Sequence, residues 1–124
     1  MTKSVLVVDD DEDIREVLEA LIERWGYEVA TAGTGKQALE VLRTRDELPG
    51  LVLLDLTMPD MNGWAVRDAM LADARLAEVP VVVLSGMADA SGSAEAARTA
   101  GVLLKPVRTE KLQEVLDKHL GAAA

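Results

Sequence analysis

The sequence predicts an α/β protein built on a parallel β-sheet. Three observations carry that expectation. Residues 5–8, 51–54, 81–84 and 102–104 are short, uniformly apolar runs, the pattern of strands buried on both faces of a parallel sheet. Amphipathic helical patterns alternate with those runs, as in successive βαβ units. Each run also ends in polar chemistry: Asp9, Asp10 and Asp11 follow the first, Asp55 the second, Ser85 and Gly86 the third, Lys105 and Pro106 the fourth.

After the first strand, Ile14, Val17, Leu18, Leu21, Ile22 and Trp25 recur at three- and four-residue spacing. That is the apolar stripe of an amphipathic helix, and Gly26 ends it. Residues 27–31 read as a second strand, and residues 35 to about 45 as a second helix carrying Ala38, Leu39, Val41 and Leu42. Leu48, Pro49 and Gly50 form a turn into the run that ends at Asp55. A third helix is expected over residues 63–74, and Val79-Pro80 introduces the next strand. Residues 88–99, rich in Ala, Ser and Gly without a large apolar anchor, are expected to form a short or mobile helix. Leu112, Val115, Leu116 and Leu120 mark the last helix. Trp25 and Trp64 are expected to cover the core edge, and His119 to lie on the polar side of its helix.

At 124 residues the chain fits a single domain, 1–124. A content of 49% hydrophobic and 28% charged residues is that of a globular chain. The absence of cysteine excludes disulfides and thiolate metal sites. No signal-peptide core and no apolar stretch of membrane-spanning length is present, so a cytoplasmic protein without a membrane partner is expected. The net charge of −9 repels phosphate backbones and anionic lipid, which argues against direct nucleic-acid binding.

Ligands of open α/β sheets bind at the carboxyl ends of the strands. Neighbouring strands lie ~4.8 Å apart, so the polar groups ending the four runs share one site. Asp9, Asp10 and Asp55 would repel there by roughly 4 kcal/mol per pair at ~4 Å and an effective dielectric of about 20, so either a proton or a cation joins them. Clustered oxygens without His or Cys favour a hard ion, Mg²⁺ first and Mn²⁺ second. A carboxylate can also attack a phosphoryl group to give an aspartyl phosphate. The metal, the Lys105 ammonium and the Ser85 hydroxyl would then compensate the charge. Gly33-Thr34-Gly35-Lys36 is not a nucleotide loop, which would need glycine at 30 and Ser or Thr at 37, where Ala30 and Gln37 stand. It reads as a turn into the second helix, and ATP is not expected as a ligand. Asp11 or Glu12 is expected to cap the first helix, and Asp60 is read as a loop residue.

Four motifs in order give the chain its resemblance to a response-regulator receiver domain, the phosphoacceptor module of two-component signalling. They are Val7-Val8-Asp9-Asp10-Asp11, the stretch Leu54-Asp55-Leu56-Thr57-Met58-Pro59-Asp60-Met61-Asn62-Gly63, Leu84-Ser85-Gly86 and Leu104-Lys105-Pro106. The resemblance implies a doubly wound, flavodoxin-like (CheY-like) five-stranded sheet of order 2-1-3-4-5. It implies that Asp55 accepts a phosphoryl group from a histidine kinase or histidine phosphotransfer protein, and that the chain assists this chemistry rather than acting as an enzyme. Asp10, Asp55 and the backbone carbonyl of Thr57 would hold Mg²⁺, with Asp9 contributing through water. Ser85 would hydrogen-bond the phosphoryl group, Lys105 would pair with it, Gly86 would leave room, and Lys105-Pro106 would be a cis peptide. The output would be a contact with a downstream protein, made as a monomer or a phosphorylation-dependent dimer, because no effector segment follows Leu120.

Two departures bear on that output. Val102 stands where the family often carries an aromatic switch residue, and Ala100-Gly101 leads almost directly into the last strand. Thr57 and Met87 flank the path of a hydrolytic water in the family, and neither is an effective base, so a longer-lived phosphoryl group is expected. The rival from another class is a haloacid-dehalogenase-like phosphohydrolase, whose motif needs an acid where Thr57 stands. A receiver-like interaction module that takes no phosphate is the third reading.

Overall fold

Uniformly apolar strands are satisfied only by apolar neighbours on both faces. The computed structural model, which describes residues 3–56, 58, 60–86 and 99–121, shows that arrangement. Its elements in chain order are β1 (Ser4–Val8), α1 (Glu12–Arg24), β2 (Glu28–Ala32), α2 (Gly35–Thr44), β3 (Leu51–Asp55), α3 (Gly63–Leu71), β4 (Val81–Ser85), β5 (Gly101–Leu104) and α4 (Thr109–Leu120). The strands form one parallel sheet of order β2-β1-β3-β4-β5, as the resemblance implied.

Alternate residues of each central strand point to opposite faces. Leu6, Val8, Val52, Leu54, Val81 and Val83 pack with Ala38, Leu39 and Leu42 of α2 and Val66 and Met70 of α3. Their neighbours Val5, Val7, Leu51, Leu53, Val82 and Leu84 pack with Leu18 and Ile22 of α1 and Leu112 and Leu116 of α4. Two cores therefore sandwich the sheet, and β1 and β3 adjoin although β2 lies between them in sequence. That reversal of direction opens the crevice at their carboxyl ends.

The helix ends explain where the boundaries depart from expectation. Trp25 caps α1, Gly26 takes φ 95°, and the N–H groups of Gly26 and Tyr27 donate to the carbonyls of Glu23 and Ile22. Tyr27 thus completes the helix's terminal motif, and β2 starts at Glu28 instead of 27. α3 stops at Leu71 rather than 74. There the Asp73 carboxylate accepts from the Arg75 N–H at 2.9 Å, a local bond that competes with helix. Arg75 in turn donates to the carbonyls of Leu42, Arg43, Arg45 and Asp46 at the end of α2, which that helix cannot satisfy itself.

The apolar stripe of α1 is narrower than its sequence suggests: Leu18 and Ile22 are buried, whereas Val17 is 58% exposed. Trp25 and Trp64 lie partly buried against the two cores, as expected. His119 is partly buried rather than on the open polar face, and burial lowers its pKa, with Lys118 adding to the effect. Residues 88–98 of the Ala/Ser/Gly-rich stretch lie outside the described residues. Val102, in register with Val83, packs against the α2–α3 core.

Candidate functional site

The site is assembled from strand ends. Asp9 extends the β1 ladder by donating its N–H to the Ala32 carbonyl at 3.1 Å, which carries its side chain into the crevice. Its residue is 0% exposed; its Oδ1 accepts from the Asp11 N–H at 2.9 Å, and its carbonyl accepts from Arg15 Nη1 at 2.8 Å. Asp10 is exposed beside it. Asp11 is the N-cap of α1, accepting from the N–H groups of Asp13 at 2.9 Å and Ile14 at 3.2 Å. The capping role thus falls to Asp11 alone of the three, and Asp9 and Asp10 are left for other chemistry.

Asp55 is the last residue of β3, paired with Leu84 and 3% exposed. Ser85 ends β4 and is also buried, in register with Leu104, and its carbonyl accepts from the Lys105 N–H at 2.8 Å. The Lys105-Pro106 peptide is cis. Lys105 Nζ stands 3.1 Å from Asp55 Oδ1, a hydrogen bond, and 3.1 Å from Asp9 Oδ2. Burial alone would lower the Lys105 pKa, but hydrogen bonds and charges from Asp9 and Asp55 outweigh it and hold the ammonium above its ordinary value.

Carboxylate oxygens of Asp9, Asp10 and Asp55 all lie within 4.8 Å of one another. Three carboxylates against one ammonium leave two negative charges, which a divalent cation would balance. Asp9 Oδ2 is buried and its charge is met by the ion pair with Lys105 at 3.1 Å; a cation among the three carboxylates would compensate it further. An all-oxygen donor set with one exposed member fits Mg²⁺, which keeps several of its waters.

Glycines shape the surroundings. Among the described residues, a Cβ at Gly86 would meet nothing within 4 Å. A Cβ at Gly63 would lie 2.7 Å from the Asp55 carbonyl, and the Gly63 N–H donates to the Leu56 carbonyl at 2.8 Å. Only glycine allows α3 to start so close to the strand that ends in Asp55. An apolar groove of about 300 Å³, lined by Ile14, Val17, Leu18, Pro106 and Val107, runs beside Lys105 rather than over the carboxylates.

The structure brings together Asp9, Asp10, Asp55 and Lys105, with Ser85 and Gly86 on the adjoining strand end. Thr57 and Met87 lie outside the described residues. Two neighbours of the site were not singled out from sequence. Arg15 braces the Asp9 backbone, and Asp60, read as a loop residue, accepts from the N–H groups of Gly35 and Lys36 at 3.1 and 3.0 Å. The signal for Asp60 was the start of α2, which carries no acidic residue in its first turn.

Residues 5–117 match the family model of the response regulator receiver domain. The chain belongs to that family. Among curated relatives, the polar-differentiation response regulator DivK of Brucella ovis is 32% identical over 99% of this chain and 100% of its own length. The transcriptional regulatory protein ZraR of Escherichia coli is 36% identical over 94% of this chain, which spans only 26% of that longer protein. Among solved structures, the chemotaxis protein CheY4 of Vibrio cholerae superposes with a TM-score of 0.86 at 28% identity, over 97% of this chain and 100% of its own. The response regulator TrrA of Thermotoga maritima, in complex with Mg²⁺ and BeF, superposes with a TM-score of 0.85 at 27% identity, covering 97% and 100%. Receiver domains are signalling domains rather than classical enzymes. They bind Mg²⁺ at an acidic pocket and interact with sensor kinases or phosphotransfer proteins and with downstream targets. No helix among the described residues is long and apolar enough to cross a membrane.

Proposed function

We propose that residues 1–124 act as one cytoplasmic receiver module in which Asp55 accepts a phosphoryl group from a phosphohistidine of a sensor kinase or phosphotransfer protein. The aspartyl phosphate then switches a contact with a downstream protein. The observation that carries this reading is the Asp55 carboxylate held 3.1 Å from Lys105 Nζ, inside a cluster with Asp9 and Asp10 whose oxygens are close enough to hold a cation. A carboxylate oxygen of Asp55 forms the new O–P bond as the P–N bond to the imidazole breaks, and the donor histidine leaves as neutral imidazole after taking up a proton. Lys105 follows the negative charge from carboxylate to phosphoryl oxygens, Ser85 donates its hydroxyl to them, and Gly86, without a side chain, leaves room for them. Asp10, Asp55 and the Thr57 carbonyl, with Asp9 contributing through water, would hold Mg²⁺, which would supply further charge compensation; Mn²⁺ would fit the same oxygens.

Incubation with phosphoramidate and Mg²⁺, followed by intact mass measurement, tests the reading. One phosphoryl increment is expected in the native chain and none in Asp55→Asn; no increment in the native chain, or an undiminished one in the variant, contradicts it. Thr57 and Met87 offer no base to a hydrolytic water, so the phosphoryl group is expected to be long-lived. Met87→Glu should shorten its lifetime in a radiolabel decay assay, and an unchanged decay removes Met87 from the account. The phosphohydrolase reading lacks an acid at position 57, and sustained phosphate release from small esters would be needed to restore it.

A further inference from the structure

α2 begins Gly35-Lys36-Gln37 and has no acidic residue in its first turn. Its own sequence therefore offers nothing negative to the free N–H groups and positive end of the helix, and Lys36 makes that end more positive. The missing charge comes from a different part of the chain. Asp60, on the β3–α3 connection, accepts from the Gly35 N–H through Oδ1 at 3.1 Å and from the Lys36 N–H through Oδ2 at 3.0 Å. The Thr34 hydroxyl takes the Gln37 N–H at 3.0 Å. The bond from Lys36 leads the effects that hold the Asp60 carboxyl below its ordinary pKa, so the clasp is ionised at neutral pH. Met61 packs against the same point, where a Cβ on Gly35 would overlap its side chain.

The segment held in this way starts at the proposed phosphoacceptor. Leu56 is buried and donates its N–H to the Leu84 carbonyl at 3.0 Å, and Gly63 closes the far end by its bond to the Leu56 carbonyl. Between those ends lie Asp60 and the proposed carbonyl ligand at residue 57. Across the crevice, Gly33 sits against the Arg15 guanidinium, which donates to the Asp9 carbonyl. The start of α2 is thus tied through Asp60 to the loop after Asp55, and Gly33 just before it lies beside the side chain that braces Asp9.

We infer that Asp60 is a positioning residue for the cation site: by clasping the start of α2 it holds in place the connection that leaves Asp55, and with it that connection's contribution to Mg²⁺ binding. The inference rests on the Mg²⁺-dependent phosphoacceptor reading above. Asp60 stands outside the cluster of Asp9, Asp10 and Asp55 and acts on it through the backbone.

The test is calorimetric titration with Mg²⁺ of the full chain and of Asp60→Ala, Asp60→Asn and Asp10→Asn, alongside thermal unfolding without metal and phosphoramidate rates across Mg²⁺ concentration. Asp60→Ala is expected to weaken Mg²⁺ binding about threefold to tenfold, the effect of losing charge-assisted hydrogen bonds that hold a ligand loop. Asp60→Asn keeps one acceptor oxygen and should fall between. At saturating Mg²⁺ the phosphorylation rate of either variant should return to within about twofold of native, the split expected when binding rather than chemistry is affected. A plain helix cap would lower the unfolding temperature and leave Mg²⁺ affinity untouched, and that result overturns the inference. Should the native chain bind no Mg²⁺, the phosphoacceptor reading fails and this inference with it. If the native chain binds, Asp10→Asn does not, and both Asp60 variants bind as native, this inference alone fails.

Discussion

Lys105 sets the electrostatic balance of the site. It neutralises one of three clustered carboxylates, two of which are buried. Because the folded chain raises its pKa above 10.5, the stability it contributes is complete below the unfolded value and is lost as pH rises through the folded one. Chemical denaturation from pH 7 upward should therefore reveal no loss from this residue until about pH 10, and Lys105→Met should remove the alkaline limb; a Lys105-dependent loss near pH 8 would contradict the geometry. The residues bearing this chemistry were legible because each is polar at the end of a buried run, where an unpartnered charge is untenable. Asp60 was not legible in the same way. Its partners lie 24 and 25 positions earlier in the chain, and no local pattern in the 56–62 loop announces them. Only the acid-free start of α2 pointed to a missing partner, and treating that absence as a requirement would have found it.

At the scale of elements, the placement of Asp55 depends on how closely α3 can begin. Gly63→Ala would put a Cβ 2.7 Å from the Asp55 carbonyl, a contact with backbone that no side-chain rotation relieves. Destabilisation of about 1–3 kcal/mol is expected by urea denaturation, with slower phosphorylation by phosphoramidate; native stability and rate in Gly63→Ala would show that the helix start gives way freely. Strand and helix identities followed from period and burial, since runs such as 51–54 can sit only inside a sheet covered on both sides. Their limits did not follow, because they were decided by bonds between neighbours that periodicity does not report. Tyr27 was claimed by the terminal motif of α1 and Asp73 by its own turn. The exposure of Val17 has a similar origin: α1 presents Leu18 and Ile22 to the sheet, and Val17 at the edge of the stripe faces the groove beside Pro106 and Val107.

Across the whole molecule, net charge of −9 and a cluster of three carboxylates make the metal-free fold electrostatically strained at one end of its sheet. A cation that binds the folded state alone raises stability by mass action, by about 2.7 kcal/mol at a hundredfold excess over its Kd. Thermal unfolding should therefore shift upward with Mg²⁺, and Asp10→Asn should abolish the shift while raising the metal-free Tm slightly through relieved repulsion. A Tm that rises equally in both proteins would assign the effect to general screening instead.

The central claim is that Asp55 is the phosphoacceptor. An acyl phosphate is reduced by borohydride to an alcohol, so the modified aspartate becomes homoserine and marks its own position. Peptide mapping after phosphoramidate, Mg²⁺ and borohydride is expected to find homoserine at position 55, and at no other aspartate. Homoserine at Asp9 or Asp10, or aspartate retained at 55 in protein that carries a phosphoryl group, would contradict the account.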